Sequence, residues 1–520
     1  MNPNKKIYVL FILGLSGYIL AFITSPLFFI LLFLVSSGLI FTALLYTLFL
    51  FVKKSKQHKI LAAAVFCLLI LYGAGKVALP HLFRKGGPGG RHAAHQSSAL
   101  EQFRSLPYVS WSEKKVDDRV RGVTKYDRKN AFPGYNLYTD DARYAYLMDM
   151  EGNIVYRWQF PPSIQGKWEY AELLEDGSIV AICVAKCFAK IDRNSNIIWL
   201  KNISANHDIA ILPDGGYLIP VAEPEIGYRS HLVKFDALVR FSGDGEILGQ
   251  WSTRDKLPTL KKLHDPLPID LEDYRLNTGL RELYLFIKKI YALAYAYRKN
   301  TIVRVGQYHW QNHAAPIVKK PIFSERIVAK IRRKIEKIIG LKSYDYYHLN
   351  TIEVLPKTDL GMRDPRFQQG NYLICLRNAN LILILDKDTK KVVWHWGPGV
   401  LDWPHMPTLL ENGNILIYDN GANRAYSRIV EFNPISESIE WEYKANPPQQ
   451  FYSKLRGSNQ RLPNGNTLIC DSENGRAFEV TKDKEVVWEF YNPEIQKGKR
   501  KLIYRMMRIT DKDRLRSLLL

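Results

Sequence analysis

Three long apolar runs fill the first eighty residues, at about 7–24, 27–52 and 60–79. Each run is long enough to cross a bilayer, since a helix of about 20 apolar residues spans the roughly 30 Å of hydrocarbon. The link between the second and third runs reads KKSKQHK, whereas the turn between the first two contains no Lys or Arg. Because cytoplasmic loops are enriched in these residues, the pattern predicts a transmembrane module of three spans over 1–82 with a cytoplasmic N-terminus.

The three spans place the rest of the chain on the opposite side of the membrane. We therefore expect an integral membrane protein whose soluble region is exported to the periplasm or the cell exterior. A cleaved signal peptide is the alternative for the first run, but two more spans follow it and no small-residue cleavage site closes it. Residues 83–134 are interpreted as a tether that leads into the soluble region and contains the flexible stretch GGPGG.

From about residue 135 the pattern changes to a repeat of short strands. Each unit has an apolar strand, a turn with Asp or Asn beside Gly, a second strand, and then two more strands that end in Trp. Six units can be recognised: an incomplete first unit, then 169–202, 207–251, 348–396, 405–441 and 457–488. Antiparallel strands joined by tight turns at this spacing are typical of propeller blades. The fold class is therefore predicted as all-β, with a six-bladed β-propeller over 135–490; a β-sandwich is the alternative.

A segment with helical periodicity interrupts the repeat between its third and fourth units. This insertion covers about 254–342, and 281–298 and 323–339 are amphipathic, basic stretches within it. It contains 20 Lys and Arg against 8 Asp and Glu. It is either a solvated helical pair packed on the propeller or a surface that contacts anionic lipid or an acidic acceptor. A basic tail, 491–520, follows the last unit.

The overall charge narrows the choice of partners. The chain has 73 Lys and Arg against 51 Asp and Glu, a formal net charge of +22. Such an excess predicts an anionic partner: nucleic acid, lipid head groups or an acidic substrate. Nucleic acid is disfavoured because the soluble region is expected outside the cytoplasm. Five cysteines are too few for a disulfide scaffold, and their spacing matches no zinc motif.

Three histidines recur at related positions in the repeat. His207 and His405 each lie eight residues before the turn glycine of their unit, and His348 is displaced from that position by two residues, which is the strand period. The first strand of a blade lines the central channel and the second returns to the same end, where Arg377 closes the second strand of the fourth unit. We therefore expect three imidazoles and one guanidinium to meet at one mouth of the channel.

This set of side chains suits a tetrahedral anion. A single histidine is more often structural, but packing a blade does not require histidine at corresponding positions of three units. Three histidines also form a zinc ligand set, yet the fixed charge of Arg377 would oppose a dication. A guanidinium and imidazoles can instead donate hydrogen bonds to the oxygens of sulfate or phosphate, and an oxyanion site is the preferred hypothesis.

The soluble region, from about Asn136 onward, resembles the PAPS-independent arylsulfate sulfotransferases (ASST family). The resemblance is carried by WPHMPTLLENGNILIYDNG with YSRIVEF, by HLN followed by LICLRNAN, by NHDIAILPDGGYLI, and by YRMMR near the C-terminus. It implies a six-bladed propeller that moves a sulfuryl group from an aryl sulfate to a phenolic or other hydroxyl acceptor, by ping-pong transfer through a sulfohistidine. His405 matches the transiently sulfated histidine, and His207, His348 and Arg377 match the other catalytic positions.

Other expectations accompany this resemblance. Asn350, Asn420 and Asn423 are lesser candidates for binding substrate, or are turn residues. Glu169 occupies the inner position of the second unit, where a solvated carboxylate is an equal alternative. No metal or diffusible cofactor is needed. Soluble members of the family can carry a disulfide near the site; here Cys183 and Cys187 flank a predicted turn, and two thiols are the plainer interpretation.

Two alternatives remain open at this point. The first is a non-catalytic propeller, tethered to the membrane, that acts as a binding or assembly platform with its histidines inherited from an enzyme. The second is a quinoprotein-like or metal-dependent oxidoreductase. The membrane module and the basic insertion depart from the soluble members of the family and leave the natural acceptor undetermined.

Overall fold

The computed structural model describes residues 110–140, 143–160, 168–223, 226–228, 231–266 and 342–511, together with 515 and 518. The three apolar runs and the two basic stretches at 281–298 and 323–339 lie outside these ranges. Among the described residues, no helix is both long enough and apolar enough to span a bilayer.

The described chain forms six antiparallel sheets arranged as blades. Blade 1 contains β2 (Tyr135–Thr139), β3 (Tyr144–Met148), β4 (Ile154–Gln159) and β30 (Arg505–Ile509). Blade 2 contains β5 (Trp168–Leu173), β6 (Ile179–Cys183), β7 (Cys187–Ile191) and β8 (Ile197–Lys201). Blade 3 contains β9 (Ala210–Ile211), β10 (Tyr217–Ala222), β13 (Asp236–Phe241) and β14 (Ile247–Ser252).

The remaining blades follow the same plan. Blade 4 contains β16 (Leu349–Val354), β17 (Tyr372–Leu376), β18 (Leu381–Leu385) and β19 (Val392–Trp396). Blade 5 contains β20 (Pro404–Leu409), β21 (Ile415–Asp419), β22 (Arg428–Asn433) and β23 (Ser438–Tyr443). Blade 6 contains β24 (Ser458–Arg461), β25 (Thr467–Asp471), β26 (Arg476–Val480) and β27 (Val486–Tyr491), with β1 (Gly122–Tyr126) as a fifth, outermost strand. The predicted all-β, six-bladed propeller is confirmed.

The two ends of the propeller differ from the sequence-based boundaries of 135 and 490. Strand β30, from the segment expected to be a basic tail, pairs with β2 and completes blade 1. Strand β1, from the segment expected to be a tether, pairs with β27 on blade 6. The propeller therefore extends from Gly122 to Ile509, and the first unit looked incomplete because its innermost strand comes from the far end of the chain.

Each blade buries both of its faces against its neighbours. The buried apolar side chains form clusters that each join two successive blades, including one between blades 6 and 1 that closes the ring. The recurring Trp at the end of a unit adds a directed contact to this packing. The indoles of Trp158, Trp199, Trp441 and Trp488 each donate to a backbone carbonyl in a turn of the following blade. The repeated sequence therefore specifies the contact between neighbouring blades as well as the strands within each blade.

In the described part of the chain, two short sheets and two α-helices lie outside the blades. Strands β11 (Ile226–Tyr228), β12 (His231–Lys234) and β15 (Lys342–Asp345) form one small sheet, in which β12 and β15 are parallel. Strands β28 (Ile495–Gln496) and β29 (Lys499–Arg500) form the other. Helix α1 (Leu257–Leu263) opens the predicted insertion and buries Leu260, and α2 (Asp359–Arg363) follows β16. The insertion is therefore described only at its two ends.

A buried ion pair fastens the closing strand to the last blade. Arg508 of β30 lies 3.0 Å from Glu479 of β26, and both side chains are completely buried. The same guanidinium donates to Asn136 at 2.7 Å, so it joins blades 1 and 6. Removing one partner of a buried pair leaves the other charge uncompensated, which is strongly destabilising.

We expect Arg508→Met to lower the free energy of unfolding by about 3–5 kcal/mol, because Glu479 would stay buried without its cation. Arg366→Met is the matched control: Arg366 also pairs with a carboxylate, Asp364, but is 47% exposed, and its loss should cost about 1 kcal/mol or less. Urea unfolding followed by tryptophan fluorescence measures both. Equal losses in the two variants would show that this pair does not hold the ring closed.

Candidate active site

Several inner strands become irregular at the end of the channel where the histidines lie. Strands β5, β16 and β20 each have a bulge at their first residues, next to Glu169, Asn350 and His405 respectively. A bulge bends the strand and re-aims a side chain, and bulges are common beside active sites. His207 and His348 moreover have positive φ values of 71° and 55°, a conformation that is uncommon for residues other than glycine. The backbone here departs from regular strand geometry in several blades at once.

The structure brings together His207, His348, His405 and Arg377. The rings of His207 and His348 have centroids 4.5 Å apart. Arg377 and His207 both lower the pKa of His405, and they act in the same direction on His348, so the four groups share one electrostatic environment. All four side chains are buried or nearly so.

The ring of His405 is held with one nitrogen fixed. Its Nδ1 lies 2.7 Å from Oδ1 of Asn420 and 3.2 Å from the carbonyl of Trp403. The Asn420 amide is itself oriented, because its nitrogen donates to the carbonyls of Ser453 and Arg456. Both groups facing Nδ1 are acceptors, so Nδ1 carries the proton and the lone pair is on Nε2.

His405 is also kept neutral. Burial, the charge of Arg377 and the nearby His207 lower its pKa to about 3, against the opposing effect of the hydrogen bond that His405 donates to Asn420. An imidazole with this pKa is unprotonated throughout the neutral pH range. Histidine acts as a nucleophile when its ring is neutral and one nitrogen, here Nε2, has a free lone pair.

Arg377 is fixed by contacts on several sides. Its guanidinium carbon lies 4.6 Å from the centroid of the Trp403 ring, and its Nε donates to Asn378 at 3.0 Å. Its backbone N–H donates to the carbonyl of His348, which ties the start of blade 4 to the end of β17. A guanidinium held in this way provides a permanent positive charge in the site, because its pKa is too high for it to lose its proton.

His348 and His207 each face a buried carboxylate. Nδ1 of His348 lies 2.6 Å from Oδ2 of Asp345, and Nδ1 of His207 lies 3.1 Å from Oε1 of Glu169. The hydroxyl of Tyr504, just before the closing strand β30, is 3.2 Å from the same nitrogen of His207. Within the described part of the chain, Nε2 of His207 is buried and has no hydrogen-bond partner. A bound substrate could supply the partner that this nitrogen lacks.

The three asparagines proposed from sequence have different positions. Asn420 contacts His405 directly. Asn350 is buried and donates to the carbonyl of Pro404, so it holds the strand of His405. Asn423 is exposed and both its backbone N–H and its side-chain amide donate to Asp402. These are the contacts of a turn residue, which is the alternative that the sequence left open for Asn423.

Sequence reasoning missed some functional neighbours and misjudged others. Glu169 is completely buried against His207, which excludes the solvated carboxylate considered for it. Asp345 and Tyr504 had no signal in the repeat, because both lie in connections outside the repeated strands. Cys183 and Cys187 are directly opposite in the β6–β7 pairing, and both are thiols. In the ranges listed above for the structure, no group of three or more His, Cys, Asp and Glu residues is arranged to hold a metal ion.

Two family models match this chain, both described as arylsulfotransferase (ASST). One covers residues 109–410, more than half of the sequence, and the other covers 332–493. The chain belongs to the arylsulfotransferase family. It is accordingly an arylsulfate sulfotransferase that does not use PAPS. The matched regions include His207, His348, Arg377 and His405, whereas Tyr504 lies beyond them.

Other comparisons add little to this assignment. No curated protein matches the chain. Among solved structures, a protein of unknown function from Bacteroides caccae is 14% identical, with a TM-score of 0.41, over 73% of this chain and 100% of that one. A virginiamycin B lyase from Staphylococcus aureus is 10% identical, with a TM-score of 0.36, over 74% of this chain and 89% of that one. Similarities this low carry no argument about the activity of this arylsulfotransferase.

The protonation state of His405 can be measured directly. Its imidazole should remain neutral, with the proton on Nδ1, from pH 8 down to pH 5, because its pKa is about 3 whereas a free histidine titrates near 6.5. ¹⁵N NMR of histidine-labelled protein, with the resonance assigned by its loss in His405→Asn, measures both the charge and the tautomer. A titration midpoint between pH 6 and 7 would contradict this account of the site.

Proposed function

We propose that this arylsulfotransferase works by ping-pong transfer through a sulfohistidine at Nε2 of His405. The observation that carries the proposal is the fixed, neutral ring of His405: Asn420 accepts from Nδ1 at 2.7 Å and leaves the Nε2 lone pair free to attack. The donor is an aryl sulfate and the acceptor is a phenol or another hydroxyl compound. No metal or diffusible cofactor takes part in this scheme.

In the first half-reaction Nε2 of His405 attacks the sulfur of the donor. The N–S bond forms as the bond from sulfur to the aryl oxygen breaks, and the phenolate leaves with that electron pair. Sulfuryl transfer resembles phosphoryl transfer, in which positioning and electrostatic stabilisation provide most of the rate enhancement. The second half-reaction is the reverse of the first, with the acceptor hydroxyl attacking the sulfur of the sulfohistidine.

The other members of the site would bind the transferred group. Arg377 supplies a charge that does not depend on pH, and Nε2 of His207 is available for an oxygen of the sulfuryl group. His207 or His348 would protonate the leaving oxygen and later accept the proton of the incoming hydroxyl. Glu169 beside His207 compensates the positive charge on that ring when it carries two protons.

We further propose that the enzyme is anchored in the membrane by the three spans predicted over 1–82, with its propeller on the exported side. The basic insertion would then contact anionic lipid or an acidic acceptor. Both proposals rest on the hydrophobic pattern and the charge of the sequence. Partition of the full-length protein into the membrane fraction after carbonate extraction tests the anchor, and release into the supernatant would contradict it.

The covalent step can be tested with p-nitrophenyl sulfate in the absence of an acceptor. The wild-type protein should release one equivalent of p-nitrophenol and gain the mass of one sulfuryl group on a peptide containing His405. His405→Ala should show neither. Labelling that survives His405→Ala would contradict the nucleophile assignment, and a wild-type protein that releases no phenol would favour the binding-platform alternative.

Asn420 and Asn423 provide a matched pair for the orienting role. Asn420→Ala should slow sulfation of His405 roughly 10–100-fold, since supporting partners of a functional imidazole typically carry effects of this size. Asn423→Ala should leave the rate unchanged, because its amide contacts only Asp402 at the surface. The rate of p-nitrophenol release in a single turnover measures both. Equal effects would show that the contact with Asn420 does not prepare the nucleophile.

A further inference from the structure

A small sheet outside the blades reaches into the candidate site. Strand β12, from the connection between two strands of blade 3, lies parallel to β15, which comes after the insertion. In this pairing Lys234 is opposite Asp345. His348 follows Asp345 by three residues, so two segments more than a hundred residues apart in sequence meet beside one histidine of the site.

The side chains at this junction form a continuous buried chain of contacts. Nζ of Lys234 lies 3.2 Å from Oδ2 of Asp345, and that same oxygen lies 2.6 Å from Nδ1 of His348. Lys234 is also 3.8 Å from Asp236, which accepts the backbone N–H of Leu349 through its other oxygen. The exposed fractions of the Lys234, Asp345 and His348 side chains are 19%, 8% and 11%.

We propose that Asp345, held by Lys234, is a positioning residue that makes His348 the proton-transfer group of this sulfotransferase. Asp345 accepts the proton on Nδ1 of His348, so Nε2 carries the lone pair and is available to the reacting oxygen. The inference rests on the proposed sulfohistidine mechanism. That mechanism allows either His207 or His348 to transfer the proton, and the inference selects His348.

The charge on Asp345 is secure. Burial alone would raise the pKa of this carboxyl, but Lys234, His348 and Arg377 together lower it below its usual range, so Asp345 is a carboxylate at neutral pH. Asp345 and Asp236 likewise raise the pKa of Lys234 against the effect of burial, which keeps its ammonium group charged. A charged acceptor fixes the tautomer of His348 more strongly than a neutral one would.

The same network joins His348 to Arg377. The side-chain amide of Asn378 donates to the carbonyl of Asp345 at 2.6 Å, and its oxygen accepts from Nε of Arg377 at 3.0 Å. The backbone N–H of Arg377 donates to the carbonyl of His348. Proton transfer and oxyanion binding are therefore fixed relative to each other through one asparagine.

The ionic surroundings of His348 favour its neutral, basic form. Asp345, Arg377 and His207 face the ring, and Lys234 and Asp236 lie beyond Asp345. Burial, Arg377 and His207 hold the pKa of His348 well below its usual value, although Asp345 opposes them. His207 differs from His348 in that its Nδ1 faces two groups, the carboxylate of Glu169 at 3.1 Å and the hydroxyl of Tyr504 at 3.2 Å.

In the second half-reaction the acceptor oxygen bonds to sulfur, the N–S bond to His405 breaks, and its electron pair returns to Nε2 of His405. The proton of the acceptor hydroxyl passes to Nε2 of His348. In the first half-reaction of the next cycle, with a donor ester of a weakly acidic phenol, that proton passes from Nε2 of His348 to the departing oxygen and His348 returns to its neutral form.

The test compares two phenols in the two half-reactions of the full-length protein. In Asp345→Asn, transfer from sulfated His405 to unsubstituted phenol should fall roughly 100-fold, which is within the usual range for general acid–base catalysis. Release of p-nitrophenol from p-nitrophenyl sulfate should fall much less, because p-nitrophenolate is stable enough to leave without a proton. Glu169→Gln is the matched control and should slow both reactions alike, since His207 is assigned to binding the sulfuryl group.

Lys234→Gln provides a second measurement that keeps Asp345 and His348 in place. Without the ammonium group, the charge of Asp345 acts more fully on His348, so the acid limb of the rate for transfer to phenol should move to higher pH. Thermal unfolding of each variant separates a folding defect from an effect on catalysis. If Asp345→Asn does not fold, the direction of the shift in Lys234→Gln decides the proposal.

The outcomes distinguish this inference from the mechanism on which it rests. Equal slowing of both half-reactions in Asp345→Asn, or a selective loss in Glu169→Gln, would overturn the assignment to His348 while leaving the sulfohistidine intact. An acid limb that does not move in Lys234→Gln would also overturn it. If the wild-type protein never acquires a sulfuryl group on His405, the proposed mechanism itself fails, and the inference fails with it.

Discussion

The chemistry of this site depends on one buried guanidinium among three imidazoles. Arg377 is charged at every accessible pH, and it lies with His207, His348 and His405 where little water remains to screen it. In such surroundings protonating His405 is costly, so its pKa falls to about 3. Burial is the largest cause of this lowered pKa, and the charge that would bind an oxyanion in the proposed mechanism adds to it. In that proposed mechanism His405 is already neutral before the donor binds.

The propeller brings this arrangement about through ring closure. The four groups belong to blades 3, 4 and 5, whose spacing around the channel is fixed by apolar clusters between successive blades. The ring is closed by β30 from the C-terminal segment, which pairs with β2 and places Arg508 against Glu479.

The same C-terminal segment also contributes to the site. Tyr504 contacts His207, and Arg505 pairs with Asp208, the residue after His207. Closing the fold and completing the site are therefore one structural event.

Much of this organisation could be predicted from the sequence, for reasons that are local. The repeat of strands and turns is periodic, and the strand period of two places His348 on the same side as His207 and His405. What could not be predicted depends on distant pairing. Nothing near Asp345 indicates that Lys234 will lie beside it, since a parallel pairing across a long insertion leaves no periodic trace.

Asn420 and Asn423 look alike in sequence, and only the fold shows that Asn420 contacts His405 while Asn423 caps a surface turn. The inner strand of blade 1 was missed because it is contributed by the opposite end of the chain.

The central claim is that these four side chains enclose a sulfuryl group bonded to His405. A crystal structure of the protein exposed to p-nitrophenyl sulfate and frozen without an acceptor tests it most directly. The account predicts density for a sulfuryl group joined to Nε2 of His405, with its oxygens in contact with Arg377 and with Nε2 of His207. Sulfate bound elsewhere in the channel, or a sulfuryl group on any other residue, would contradict the account.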